Sequence, residues 1–199
     1  MHVGVARLET DIDIEPSFLV GHRIALRALR PADVKGPYLH WLNDADVCRG
    51  NLHHVYPYSV EAAMAYVRTS SETQQHLILA ITLRKDGRHI GNIALQNINA
   101  ISRSAEFGIL IGDKKVWGKG FGREAGRLLC NHGFSSLNLH RIACGTFEDN
   151  AAMRSLALSL GMKEEGRRRQ AVFKQGRYVD MIEYGVLRAE YEEQLGKEK

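Results

Sequence analysis

The sequence predicts a mixed α/β (α+β) domain whose central sheet is mostly antiparallel and flanked by helices. Three observations carry this. Apolar runs of strand length are joined by the turn dipeptides Asp86-Gly87 and Gln175-Gly176, which pair neighbouring strands antiparallel. A strand-like run at 106–111 leads through Gly118-Lys119-Gly120-Phe121-Gly122 into a helix, which allows one parallel crossover. Met153, Leu156, Ala157 and Leu160 make an apolar stripe at helical spacing, closed by Gly161.

Taken in order, residues 1–20 show no clear period and read as an N-terminal extension or an extra edge strand. The alternation in RIALRAL (23–29) predicts a first strand. Pro31 and Asp33 mark a helix start, and Tyr38, Trp41 and Leu42 follow at helical spacing. Residues 44–58 are a polar loop containing His53 and His54, which read as surface residues. Ser59 caps a second helix, with Glu61 in its first turn. The unbroken apolar run 77–83 is a strand covered on both faces. After a two-residue turn at Asp86-Gly87 the chain returns over 89–96, where Gly91 marks a close backbone approach. Residues 141–147 form another strand, and Asp149-Asn150 opens the helix of the apolar stripe. Two final strands, 162–174 and 177–187, meet at Gln175-Gly176. The domain spans 21–190, and 191–199 reads as a charged tail.

At 199 residues, 44% apolar and 25% charged, the chain has ordinary globular composition for one domain. A net charge of +4 suits a polyanionic small molecule. The basic residues are scattered apart from Arg167-Arg168-Arg169, which argues against a nucleic-acid partner. Cys48, Cys130 and Cys144 are odd in number and lack metal spacing; Cys130 and Cys144 sit in apolar patterns and read as buried thiols, and a reduced, cytoplasmic protein is expected. Neither a signal peptide nor a membrane span is expected, and no metal. A homodimer through the C-terminal strands is possible on apolar content alone.

Three glycines in five residues at 118–122 cost helix propensity and uncover backbone N–H groups at the positive end of a helix. That is an anion site, and phosphate is the commonest guest. The Walker spacing fails, because five residues separate Gly112 from Gly118 and Gly120 follows Lys119. The dinucleotide spacing fails too, because three residues beyond Gly120 stands Arg123.

What remains, strand, loop, G-x-G and helix, resembles the acyl-CoA loop of the GNAT superfamily of N-acetyltransferases. WGKGFGREA (117–125) is similar to the variant in its ribosomal-protein and amino-sugar branches. TFEDNAAMRSLALSLGM (146–162) resembles the family's second signature, and YLHWLNDADV (38–47) its acceptor-side helix. The resemblance covers about 23–187 and implies a GNAT-like acyl-CoA N-acyltransferase fold with acetyl-CoA as co-substrate. It implies that Ile109, Leu110 and Ile111 pair with the pantetheine arm along a splayed strand, bracketed by Gly108 and Gly112. It assigns Trp117, Gly118, Lys119, Gly120, Phe121, Gly122 and Arg123 to the phosphates, Asn150 to pantetheine and Arg154 to the 3′-phosphate. Trp41 and Asp180 fall on the acceptor side.

Acetyl transfer needs a neutral amine, and Glu106, just ahead of the cofactor segment, is the candidate base, with Asp180 second. The departing thiolate benefits from a proton. Here the chain departs from the family pattern, with Met153 and Ala157 where Ser or Tyr is usual, so either Tyr184 or Tyr178 serves as the acid or the thiolate leaves unassisted. The expected activity is transfer of acetyl from acetyl-CoA to a primary amine: a nucleotide-linked amino sugar, a protein N-terminus, or a small amine such as a polyamine or antibiotic, with the stretch GILIGDK (108–114) leaning toward the amino-sugar branch. The alternative, motivated by the missing acid, is a non-catalytic acyl-CoA-binding module.

Overall fold

The computed structural model describes residues 16–70 and 72–197. One eight-stranded sheet runs through it in the order β1-β2-β3-β4-β5-β6-β8-β7. The strands are β1 (Leu19–Val20), β2 (Ile24–Ala28), β3 (Leu77–Leu83), β4 (His89–Asn99), β5 (Ser104–Ile111), β6 (Arg141–Phe147), β7 (Lys163–Lys174) and β8 (Arg177–Leu187). Every neighbouring pair is antiparallel except β5 with β6, which the crossover helix makes parallel.

Helices cover both faces. On one lie α1 (Pro31–Val34), α2 (Tyr38–Leu42) and α3 (Val60–Thr69); on the other, α4 (Phe121–Ser135), α5 (Ala151–Ser159) and α6 (Arg188–Lys197). The residue alternation of β5 divides the core accordingly. Ala105 and Phe107 are buried in the α4–α6 cluster, with Ile109 and Ile111 packed against it. Leu110 points the other way, against the cluster holding Tyr38, Trp41 and Val67.

Several expected boundaries move. The helix read from Pro31 through Leu42 is two short helices, because Gly36 and Pro37 interrupt the hydrogen-bond ladder. The turn at Asp86-Gly87 is not a two-residue hairpin. Leu83 N–H donates to Arg88 O and Gly87 N–H to Leu83 O, giving a four-residue loop with Gly87 at φ 68°. By contrast Gln175 and Gly176, at φ 50° and 79°, form the tight turn their types suggest. Residues 191–197 of the expected charged tail belong to helix α6 (Arg188–Lys197), which buries Tyr191 against Phe134. Residues 1–15 of the expected N-terminal extension lie outside the described residues, while Leu19–Val20 adds the short edge strand β1. The three cysteines are free and buried.

Candidate active site

The site begins where two strands part. β5 and β6 pair over only three residues, from Ser104↔Arg141 to Glu106↔Ala143. Beyond Glu106, β5 continues in register with β4 as far as Gly91↔Ile111, while β6 continues with β8 as far as Phe147↔Met181. A wedge therefore opens between Phe107–Ile111 and Cys144–Phe147. The edges of two strands that would otherwise pair are left facing a cleft of about 1150 Å³. Gly108 stands on its wall, and a Cβ there would meet nothing within 4 Å.

The glycine turn closes one end. Gly118 and Gly120 take φ 71° and 80°, a region that side chains with a Cβ rarely occupy. Gly120 is the N-cap of α4 and provides no side-chain cap, so the first-turn amides of α4 open toward the cleft with the positive end of the helix dipole. Trp117 donates its indole N–H to Ile111 O at 2.8 Å, tying the end of β5 to the start of the turn. A chain of uncovered donors beside an anion-sized opening fits a diphosphate. The uncovered β5 edge fits an amide-bearing arm laid along it.

The far wall comes from α5 and two loops. Asn150, the N-cap of α5, accepts from Met153 N–H and donates to Gly50 O at 3.3 Å, reaching across to the 3₁₀ segment Val47–Gly50. Lys114 joins that segment to the loop ahead of the glycine turn by pairing with Asp44 and Asp46. The Lys114 ammonium, and after it the Arg49 guanidinium, hold the Asp46 carboxyl below its ordinary value. Lys174, at the tip of the β7–β8 hairpin, donates to Cys48 O and Asn51 O and lies over the Phe147 ring, with Gln175 on the cleft wall.

The fold brings Ile109, Leu110, Ile111, Trp117, Gly118, Gly120, Phe121, Gly122, Arg123 and Asn150 together around the cleft. It places others elsewhere. Lys119 is off the wall, and its carbonyl accepts from Arg23. Arg154 turns toward β8, donating to Tyr184 Oη at 3.1 Å and to Glu148 O. Tyr184 is 1% exposed and packs in the core, so the expected acid is not on the cleft wall. Its strand alternation points it under α5, toward Arg154 and Glu164. Tyr178 is exposed on the hairpin against Phe173. Trp41 is core, not a substrate contact: it wedges against Gly112, where a Cβ would stand 1.9 Å from the indole, and packs edge-on to His89. Asp180 fastens the β7 bulge by accepting from Gln170 N–H and Arg167. Glu106 is exposed on the α1–α3 side of the sheet, two residues before Gly108.

Sequence reasoning missed Gly145, Asp46, Arg49 and Gln175 on the wall. An isolated glycine in the strand 141–147 was a usable signal for Gly145. The loop and hairpin residues gave none, because only the tertiary fold brings them there.

With this geometry in view, comparison with known proteins is decisive. A family model described as "Acetyltransferase (GNAT) domain" matches residues 23–163. The chain belongs to the GNAT acetyltransferase family. Spermidine N(1)-acetyltransferase of Escherichia coli (strain K12) is 28% identical over 171 residues, covering 85% of this chain and 89% of that protein. YdaF of Bacillus subtilis (strain 168), whose name carries ribosomal N-acetylation as a suggestion, is 34% identical over 107 residues; that match spans 54% of this chain and 58% of YdaF. The crystal structure of spermidine N-acetyltransferase from Vibrio cholerae in complex with CoA and spermine superposes with a TM-score of 0.77 at 27% identity, covering 85% of this chain and 98% of that one. This GNAT protein is accordingly an N-acetyltransferase with acetyl-CoA as co-substrate. Among the described residues no helix is long and apolar enough to cross a membrane, and no group of His, Cys, Asp and Glu is arranged to hold a metal.

Proposed function

We propose that the cleft between β5 and β6 seats acetyl-CoA and that the acceptor is a small polyamine-like amine approaching from the α1–α3 face. The observation that carries this is the parting of β5 from β6 after Glu106↔Ala143, ending at an uncapped glycine turn. The amides of 118–123 face the diphosphate, Phe107–Ile111 runs along the pantetheine arm, and the thioester lies near Gly108. Backbone N–H groups on the free edge of β5 stabilise the oxyanion as the amine attacks.

Glu106 takes the amine proton through water. It is exposed on the acceptor side, one strand away from Ala143 and two residues from Gly108. The C–S bond breaks as the amide forms. Met153 lines the cleft and Ala157 is fully buried, so neither side chain gives the thiolate a proton. A thiol near pKa ~8.5 is a tolerable leaving group, and the proton released from the amine reaches it through solvent. The long relatives whose names carry spermidine support the polyamine reading. An N-terminal amine is the second reading, supported by the higher identity to YdaF over the shorter match.

Acetyl-CoA at a hundred times its Kd should stabilise the protein by about 2.7 kcal/mol, a rise in Tm of roughly 5–10 °C for this size. Gly120→Glu, which puts a side chain and a negative charge into the turn, should abolish the rise. A rise that survives Gly120→Glu refutes the placement of the diphosphate. Release of CoA thiol with a panel of spermidine, a peptide N-terminus and an amino sugar then chooses the acceptor. Binding without release for any amine would support a non-catalytic module instead.

A further inference from the structure

We infer that Arg23 is a positioning residue for the glycine turn, held in place by Glu124; the inference rests on the reading that this turn grips the diphosphate. Arg23 lies just before β2, and Glu124 sits in the first turn of α4, a hundred and one residues away in sequence. Glu124 Oε1 accepts from Arg23 N–H at 2.7 Å and from Ile24 N–H at 3.3 Å, and its Oε2 accepts from Arg23 Nε at 2.9 Å. With its carboxylate so engaged, Glu124 presents no free charge to a phosphate at the same helix end. Burial by itself would raise the Glu124 carboxyl, but the hydrogen bonds from the Arg23 backbone and guanidinium outweigh it and leave the group below its ordinary value.

The guanidinium has a second task. Its Nη1 donates to Lys119 O at 2.9 Å, and its Cζ lies over the Phe121 ring, 4.5 Å from the ring centre. In a planar trans peptide the C=O and the following N–H point in opposite directions. Fixing Lys119 O toward Arg23 therefore turns the Gly120 N–H away from the guanidinium, and Gly120 itself lines the cleft. This peptide needs such a pin. It joins Lys119 to a glycine at φ 80°, one residue after another glycine at φ 71°, and neither glycine has a side chain to restrain it. Nη2 stands 3.4 Å from the position of a Gly120 Cβ, so the guanidinium also backs the turn sterically.

The test is affinity measured with two thioesters on purified full-length protein. Acetyl-CoA carries the diphosphate and S-acetylpantetheine does not. Arg23→Gln should raise the Kd for acetyl-CoA roughly tenfold, the loss of one charge-assisted hydrogen bond's worth of ordering. The weak affinity for S-acetylpantetheine, read by ligand-observed NMR, should change by less than about twofold, because a ligand without phosphates does not use the turn. If Arg23→Gln does not fold, Glu124→Gln serves. Its amide oxygen still accepts from the Arg23 and Ile24 N–H groups while the guanidinium loses its charged partner, and acetyl-CoA affinity should fall in the same direction. Unchanged acetyl-CoA affinity in both variants, or equal weakening toward both thioesters, overturns the inference. Persistent acetyl-CoA binding by Gly120→Glu would instead overturn the reading of the turn beneath it.

Discussion

Asp33 and His89 form a buried polar knot beneath α2. Asp33 takes a bidentate pair of hydrogen bonds from Arg27 and a third from Arg30 N–H, and His89 Nδ1 lies 3.6 Å from its carboxylate. Burial alone would raise the Asp33 carboxyl, but the Arg27 and Arg30 hydrogen bonds bring it below its ordinary value. Burial lowers the His89 imidazole, more strongly than Asp33 and Asn92 raise it. Both groups have folded values below their unfolded ones, so the unfolded chain binds more protons between the two. Their stabilising contributions are complete above the unfolded values and are lost as pH falls, His89 first, from just below pH ~6.5 downward, and Asp33 below pH ~4. Denaturant midpoints should fall on acidification below pH ~6.5, as the unfolding free energy drops by up to about 1.4 kcal/mol per pH unit for each proton taken up. His89→Gln should flatten the upper part of that slope; a midpoint that stays level from pH 7 to 5 in the unsubstituted protein contradicts this account. Tyr184 shows the limit of reading single residues. A tyrosine in a C-terminal strand reads as a possible acid until alternation and packing are known; here they bury it at 1% exposure in the core, with its hydroxyl taken up by Arg154 and Glu164.

At the scale of elements, the site depends on β5 being held firmly on one edge and released on the other. Gly91 on β4 is the tightest point of the held edge: a Cβ there would stand 2.2 Å from Leu110 O. Gly91→Ala must push β4 away from the strand that lines the cleft. Overpacking of this kind costs about 1–3 kcal/mol, so Tm should fall by several degrees, with acetyl-CoA affinity falling too. Differential scanning fluorimetry and calorimetry check both; an unchanged Tm would show that β4 and β5 separate without cost. Gly91 announced its role in the sequence, because a glycine inside an apolar run weakens its strand unless a neighbouring backbone needs the space. The turn at 84–87 did not, because Asp-Gly is compatible with several loop lengths and Arg84, bonded to Arg23 O across the sheet, extends this one. Helix α6 was equally hidden: half of its residues are charged, and Tyr191 and Leu195 are the apolar side chains that anchor it to the core.

Across the whole molecule, the cleft is completed by parts of the chain more than a hundred residues apart. Lys174, on the hairpin, satisfies the carbonyls of Cys48 and Asn51, a hundred and twenty-six and a hundred and twenty-three residues away. Asn150 reaches Gly50 from the other side. The 3₁₀ segment has few buried side chains of its own, Val47 and Cys48, so these polar ties set its stability. Lys174→Met should raise amide hydrogen exchange in 47–51 by roughly tenfold, the loss of about 1.4 kcal/mol of local protection, and leave α4 unchanged. Equal protection in both proteins would mean that the hairpin does not hold the loop.

The sequence by itself determined the order of the strands from β2 to β8 and of the helices α3 to α5 between them, the single parallel crossover and the glycine turn. Each is written locally, in periodicities of two and 3.6 and in residues whose backbone freedom or capping chemistry has one common use. Only the tertiary structure decided which side chains reach the cleft. Trp41, Arg154, Asp180 and Tyr184 are taken up by packing, ion pairs and hydrogen bonds, while Arg49, Gly145 and Gln175 arrive on its wall from distant segments. The direction of a side chain follows from the register of its strand and the neighbours on that face, and those are properties of the folded whole.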